Sequence, residues 1–298
     1  MSSLAEFVDP RDLLKTENVE LMTKRIVDGY LSGRHRSKLK GGSAQFAEHR
    51  DYTPGDEVRL IDWRVYGRSD RYLIKQFEED TRLQVTFAID ASGSMGFGLG
   101  TATKFEHARA AALVLARLVL RQTDAAGLAV MGGGIRSYIP PRARASHLTT
   151  LIETLRAAKT SGSTTLSDDL SELTQRMGRR GLLVLFSDCF DNVEKLAHSL
   201  KMLRSRRHEA LLFHVLAPEE LSFSFREWSR FESLEAEGVG IELDPVSVRA
   251  EYMERLQAFL TRLRTVCGEA GCDYVPLVTD KPLGDTLANY LRRRAAST

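Results

Sequence analysis

The sequence is poor in most of the patterns that reveal a chemistry at sight. Its three cysteines, Cys189, Cys267 and Cys272, form neither a Cys-x-x-Cys pair nor an even framework. A zinc ribbon and a secreted disulfide scaffold are therefore excluded, and a reducing compartment is expected. Long apolar runs are missing too. The longest, residues 110–116, is closed by Arg117 and falls far short of the roughly 20 residues that cross a bilayer. The opening Met1-Ser-Ser-Leu-Ala-Glu6 has no basic segment followed by an apolar one, so no signal peptide is read and a cytoplasmic location is the expectation. Nor is there an excess of one charge: 42 Lys and Arg against 40 Asp and Glu leave +2, too balanced for a chain that neutralises phosphates, and nucleic acid is not an expected partner. No G-x-x-x-x-G-K-[ST] occurs; the triple glycine at Gly132, Gly133 and Gly134 opens no helix with Gly-Lys-Ser/Thr, so intrinsic P-loop NTPase activity is not expected.

What is present is an ordinary globular composition, 43% hydrophobic and 28% charged over 298 residues, enough for one substantial domain with an appendage. We read residues 1–82 as an N-terminal helix and small β-rich module, and residues 83–298 as the larger domain. Thr16 is placed to cap a helix carrying Val19, Met22, Ile26 and Tyr30 on one stripe. The basic run from Arg34 to Lys40 before Gly41-Gly42 reads as an exposed connector. Residues 43–80 read as short strands rather than helices, with a type II turn at Thr53-Pro54-Gly55-Asp56 and charges of both signs around Tyr52, Trp63 and Tyr66. Such a module is either a small sheet held partly by ion pairs or a docking face.

From Leu83 the texture changes. Leu83-Gln-Val-Thr-Phe-Ala-Ile-Asp90, Leu182-Leu-Val-Leu-Phe-Ser-Asp188 and Leu211-Leu-Phe-His-Val-Leu216 are near-continuous apolar runs, the form taken by parallel strands buried on both faces. Helical patterns over 104–121, 146–159, 166–177 and 193–204 lie between them. The fold class is therefore α/β, a mostly parallel sheet with helices on both faces. Residues 127–131 and 135–139, joined by the glycines, read as a hairpin that puts an antiparallel strand at the sheet edge. Residues 231–235 and 239–243 read as a second hairpin, followed by a helix from 246 to about 268, a strand over 274–278 and a helix over 283–294.

The sharpest local feature is Asp90-Ala91-Ser92-Gly93-Ser94, at the C-terminal end of the first buried strand. Loops there face the crevice where open α/β sheets place ligands. A carboxylate and two hydroxyls on alternating positions of a tight turn can converge on a hard divalent cation. A hydroxyl loop, Ser161-Gly-Ser-Thr-Thr165, and a second strand ending in Ser187-Asp188 can return to the same edge. The plain alternative is that Asp90 caps a turn and Ser92 or Ser94 caps the helix near Lys104.

These residues resemble the metal-ion-dependent adhesion site of von Willebrand factor A-type domains, and the order of strands and helices over residues 83–298 is similar to theirs. The resemblance implies a Rossmann-like fold and a divalent cation, Mg²⁺ first, with Mn²⁺ or Ca²⁺ as alternatives. It implies Asp90, Ser92, Ser94, Thr164 and Asp188 as its metal residues, with Thr164 preferred to Thr165. One departure stands out: Asp188 is followed by Cys189-Phe190-Asp191 where many such domains carry glycine. That leaves open whether Asp188 binds directly or through water, and whether Asp191 takes part. Upstream, the stretch from Arg50 to Trp63 and Phe77-Glu-Glu79 resemble the DUF58-type family that accompanies MoxR-type AAA+ ATPases.

The function implied is non-enzymatic: a cation whose open position accepts an acidic side chain of a partner, the partner being a MoxR-type AAA+ ATPase or its client. No catalytic base stands out. His107 follows Glu106 on a helix, His214 alternates within a buried strand, and no H-E-x-x-H or H-x-x-x-H spacing occurs. A metal-dependent phosphohydrolase using the same cleft is the enzyme alternative, weakened because haloacid-dehalogenase chemistry needs an acid two positions after its first Asp and position 92 is Ser. A scaffold that docks through residues 43–80 is the third reading.

Overall fold

The computed structural model describes residues 43–53, 61–80, 83–99, 102–178, 180–236 and 238–296. The helix expected near Thr16, the basic connector and most of the Thr53–Asp56 turn lie outside them. Contacts divide the chain into two compact units, with the boundary between Leu83 and Gln84.

In the smaller unit, β1 (Ser43–Asp51) pairs antiparallel with β2 (Leu73–Asp80), with a register shift between Phe46 and Glu48. Between them lies a helix that the strand reading missed, α1 (Trp63–Ser69). Its ends explain it: Asp62 accepts a hydrogen bond from the Arg64 N–H, and Asp70 closes it in the left-handed conformation, donating its N–H to the Tyr66 carbonyl. Short polar side chains are good at both tasks. Tyr66 stacks on Tyr72 at 4.5 Å, and Arg71 pairs with Asp51 at 2.9 Å.

The larger unit is the expected α/β domain. Its six-stranded sheet uses β3 (Gln84–Asp90), β4 (Ala125–Met131), β5 (Ile135–Arg142), β6 (Leu182–Ser187), β7 (Glu209–Leu216) and, last in the chain, β10 (Cys272–Val278), in the spatial order β10-β7-β6-β3-β4-β5. All neighbours are parallel except β4 and β5. The edge strand runs through Pro140 and Pro141 rather than stopping before them, at a register shift against β4; an edge and a bulge are the two places where a strand tolerates proline. Helices α2 (Lys104–Arg121), α3 (His147–Ala157), α4 (Leu166–Arg176) and α5 (Val193–Ser205) fill the crossovers. A short α6 (Pro218–Ser222), unforeseen in the sequence, leads to the hairpin of β8 (Ser229–Glu232) and β9 (Gly240–Leu243). Long α7 (Pro245–Ala270) and α8 (Leu283–Ala296) complete the layers.

Strands β3, β4, β6 and β7 are almost wholly buried, as their unbroken apolar runs require. Each such Leu, Val or Phe contributes roughly 1.5–3 kcal/mol on leaving water. Phe186 and Phe213 stack across β6 and β7 at 4.9 Å. α4, α5 and α7 pack together over one face of the sheet, where Leu173, Leu196, Leu203 and Leu263 form the core. On α2 the alanines at 108, 110, 111 and 112 are fully buried and allow close approach to the sheet.

Candidate metal centre

The chain builds β3, β4 and β5 outward in one direction, then crosses back to lay β6, β7 and β10 on the other side of β3. The C-terminal ends of β3 and β6 therefore flank the point where strand order reverses, the place where loops diverge and leave a crevice. Asp90 is the last residue of β3, and Asp188 follows the last residue of β6.

Asp90 is buried. Its Oδ1 accepts the Ser92 N–H at 2.9 Å and its Oδ2 accepts the Ser187 hydroxyl at 2.6 Å, so the ends of β3 and β6 are stitched together at the site. Burial, and next the Asp188 charge, push the Asp90 carboxyl up to about 6 against the opposing pull of the Ser187 and Ser92 hydrogen bonds. Ser92 and Ser94 stand on a 3₁₀ turn over Gly93–Gly96, with their hydroxyl oxygens 3.2 Å apart. Neither caps α2. That role belongs to Thr103 and Glu106, which form a reciprocal capping box, so the plain helix-capping alternative for the two serines is not what the chain uses.

Thr164 reaches the same rim through a tied loop. Ser161 N–H donates to the Ala91 carbonyl at 3.0 Å and Gly93 N–H to the Gly162 carbonyl at 2.9 Å. Arg136, on β5, holds the loop to the glycine turn by donating to the carbonyls of Lys159 and Ser161 on one side and Gly132 on the other. The Thr165 hydroxyl is committed elsewhere, to Asp169 at 2.9 Å. Asp169 also accepts the N–H groups of Gly132 and Gly134; the triple glycine is thus a hairpin turn whose exposed donors are met by a carboxylate. Asp191 caps α4, its Oδ2 accepting both the N–H and the hydroxyl of Ser167.

Asp188 carries a partner that the sequence reading did not anticipate. The Lys104 ammonium, almost completely buried at the start of α2, donates to Asp188 Oδ2 at 2.8 Å and to Glu220 Oε1 at 2.6 Å. Burial is the largest influence on Lys104 and pulls its pKa down, yet the two carboxylates together outweigh it and the net displacement is upward. Glu220 closes the arrangement by accepting the Ala217 N–H at 2.8 Å. Asp188 Oδ1 accepts from the Phe190 N–H at 3.2 Å. Cys189 between them has φ of 56°, in the left-handed region that glycine enters without cost. The glycine common at this position in A-type domains is thereby explained, and the sulfhydryl here is buried. His214 is a satisfied core residue: Nδ1 lies 2.7 Å from the Tyr274 hydroxyl and Nε2 3.0 Å from the Asp188 carbonyl. Burial pushes His214 down to about 4.

The donor set fits a hard cation. Two buried carboxylates from adjacent strand ends repel one another, and three hydroxyls lie on the loops beside them. Lys104 answers Asp188 and Glu220. Among the described residues no group of three or more His, Cys, Asp or Glu is placed to hold a metal, so any cation here would rest on the hydroxyl oxygens as much as on the acids. Each Asp188 oxygen already accepts one hydrogen bond, which leaves one lone pair on each.

One further acid is present. Glu235 accepts from Thr164 twice, the hydroxyl on Oε1 at 2.5 Å and the N–H on Oε2 at 3.2 Å. The sequence reading put Glu235 at the end of a strand; β8 in fact stops at Glu232, and Leu234 and Glu235 belong to the loop that joins it to β9.

The domain-family model described as "Protein of unknown function DUF58" matches residues 48–259. The chain belongs to the DUF58 family. This DUF58 chain is 28% identical over 218 residues to uncharacterized proteins of Mycobacterium bovis and Mycobacterium tuberculosis, a match spanning 72% of the chain and 68% of each relative. Among solved structures it is similar to an aerotolerance-related membrane protein of Bacteroides fragilis, with TM-score 0.47 and 14% identity over 72% of this chain and 100% of that one. It is also similar to the conserved hypothetical protein BatB of Bacteroides thetaiotaomicron, with TM-score 0.45 and 13% identity over 72% and 99%. A third similarity is to the SpRpn10 VWA domain, with TM-score 0.39 and 10% identity over 68% and 92%. Among the described residues of the DUF58 chain, no helix is long and apolar enough to cross a membrane.

Proposed function

We propose that this DUF58 protein is a non-enzymatic interaction module in which the rim at the ends of β3 and β6 binds an acidic side chain of another protein in a manner dependent on a divalent cation. The observation that carries the reading is that Asp90, Ser92 and Ser94 are hydrogen-bonded together at the strand-order reversal, with Asp188 following the adjacent strand end and a threonine, Thr164, on a neighbouring loop already engaged with a carboxylate. Asp90, Ser92, Ser94 and Thr164 would hold Mg²⁺, with Asp188 adding negative charge. When bound, the ion would supply the positive potential to which a carboxylate responds. Exposed Leu99 and Phe190 follow the two strand ends of the site and exposed Leu234 precedes Glu235 on the β8–β9 loop, an apolar surround that suits protein contact.

The partner we propose is a MoxR-type AAA+ ATPase or its client, with this chain as a cytoplasmic adaptor in assembly or remodelling. Membership in the DUF58 family and the upstream resemblance support that choice. The non-enzymatic part rests on the histidines. His214 is bonded on both nitrogens, and His107, buried on α2, is pushed down to about 4 chiefly by burial; neither is poised as a base at the rim.

Calorimetric titration with Mg²⁺ tests the reading. The wild-type protein should bind and the Asp90→Ala variant should not; equal heats in the two proteins would refute the assignment. Steady turnover of a phosphate monoester, abolished by Asp90→Asn, would replace it with a phosphohydrolase.

A further inference from the structure

Glu235 does more than lie near the site. Its carboxylate takes both the hydroxyl and the backbone N–H of Thr164, a two-point grip. The preceding residue is held just as closely. A Cβ built on Gly93 would stand 1.8 Å from the Leu234 carbonyl oxygen, so the hairpin backbone runs directly over the 3₁₀ turn, and only a glycine at position 93 admits it. Gly93 is not there for its φ, which lies outside the left-handed region; the close approach is what requires it. Leu234 itself stays exposed, as do Val239 and Ile241 along the same hairpin. Ser233 supports the loop by accepting the N–H groups of Glu235 and Ala236. The β8–β9 hairpin thus lays an apolar–acidic pair across the rim, backbone over Gly93 and carboxylate on Thr164.

We infer that Leu234–Glu235 is a built-in ligand of this site, and that the external partner is a segment presenting the same chemistry: an acidic residue whose preceding backbone carbonyl passes over Gly93. This rests on the proposed acid-binding role of the rim and specifies what the rim selects. Binding a partner then requires the hairpin to leave, and the apparent affinity is reduced by the fraction of time the hairpin is seated. A hairpin seated nine-tenths of the time weakens external binding roughly tenfold.

A fluorescent peptide copying residues 231–239, and a second in which the residue matching Glu235 is Gln, are titrated against wild-type and Glu235→Ala proteins by anisotropy, in Mg²⁺ and in chelator. The Glu peptide should bind Glu235→Ala at least roughly tenfold more tightly than wild type, and the Gln peptide should lose that gain. Equal affinity of the Glu peptide for both proteins, or equal affinity of the two peptides for Glu235→Ala, overturns the inference. The Gly93→Ala variant is an independent check. It should release the hairpin, so that the Thr164 amide exchanges faster as in Glu235→Ala, without gaining peptide affinity, because the added methyl blocks the external chain as well. Unchanged exchange in folded Gly93→Ala also overturns the inference. The two readings separate cleanly. Discrimination that persists in chelator keeps the built-in ligand and removes the cation requirement, whereas Mg²⁺ binding without peptide discrimination keeps the cation and removes the built-in ligand.

Discussion

The Lys104 ammonium lies 2.8 Å from Asp188 Oδ2, with the lysine 2% and the aspartate 5% exposed. A buried ion pair of this kind is a poor source of net stability but is costly to break, because the surviving partner keeps its desolvation penalty and loses its counter-charge. Replacing Lys104 by Met should lower the unfolding free energy in urea by about 3–5 kcal/mol. The double variant with Asp188→Asn should be more stable than the sum of the two single changes predicts. A Lys104→Met protein as stable as wild type would show that Asp188 does not depend on this ammonium. Since the Lys104 pKa lies above the ordinary 10.5, the contribution is intact at neutral pH and fades only as the solution rises through that raised value.

His107 sets a second, opposite pH dependence. It is buried on α2, and burial lowers its pKa from 6.5 to about 4. The unfolded chain therefore binds the extra proton first as pH falls. The stabilisation is complete above about pH 6.5 and is lost progressively toward pH 4, amounting to about 3 kcal/mol in all. Thermal melts between pH 7 and pH 5 should show a falling midpoint in wild type and a shallower fall in His107→Leu, with the remaining slope including that of His214. Parallel curves for the two proteins would rule this assignment out.

Arg136 ties the Thr164 loop to the glycine turn, donating to two carbonyls of the loop and one of the turn. Its planar fork cannot be replaced by a lysine ammonium. Arg136→Lys and Arg136→Ala should both weaken Mg²⁺ binding, by roughly tenfold if Arg136 acts as an outer-shell support of a metal site. Neither should abolish folding. Calorimetry on the two variants measures this directly, and unaltered Mg²⁺ affinity would detach Arg136 from the site.

Asp169 joins α4 to the glycine turn after β4 by accepting the N–H groups of Gly132 and Gly134 and the Thr165 hydroxyl. Asp169→Ala strands these donors and should cost about 2 kcal/mol, with faster amide exchange at Gly132 and Gly134. Slow exchange at both glycines in the variant would count against this tie.

The larger sheet was legible because its four inner strands are buried on both faces, so long apolar runs such as 182–187 and 211–216 admit few other readings. The position of Asp90 at a strand end was legible for the same reason. Lys104, Glu220 and Glu235 were not. Each is a charged residue whose meaning arises only when segments far apart in the chain are folded together, as with Lys104 and Glu220, 116 positions apart; no local period marks it. α1 was misread because Asp62 and Asp70 sit among alternating charges and aromatics that look strand-like, while the capping that decides the matter depends on one side chain, Asp62, and one left-handed backbone, Asp70. Thr164 and Thr165 are adjacent and chemically identical, and only the fold shows that one hydroxyl donates to Glu235 and the other to Asp169.

Pro140 and Pro141 occupy consecutive positions on β5, the outermost strand on that side of the described sheet, and Pro276 lies within β10 on the opposite flank. Because neighbouring residues of a strand point their N–H groups in opposite directions, one of the paired prolines leaves a gap in the outward row of donors. The β5 flank is thereby poorly suited to recruiting a stranger's strand, and self-association by sheet extension is disfavoured there. A contact made through the loops at the strand ends, as proposed above, would be released by exchanging one side chain for another rather than by unzipping a ladder.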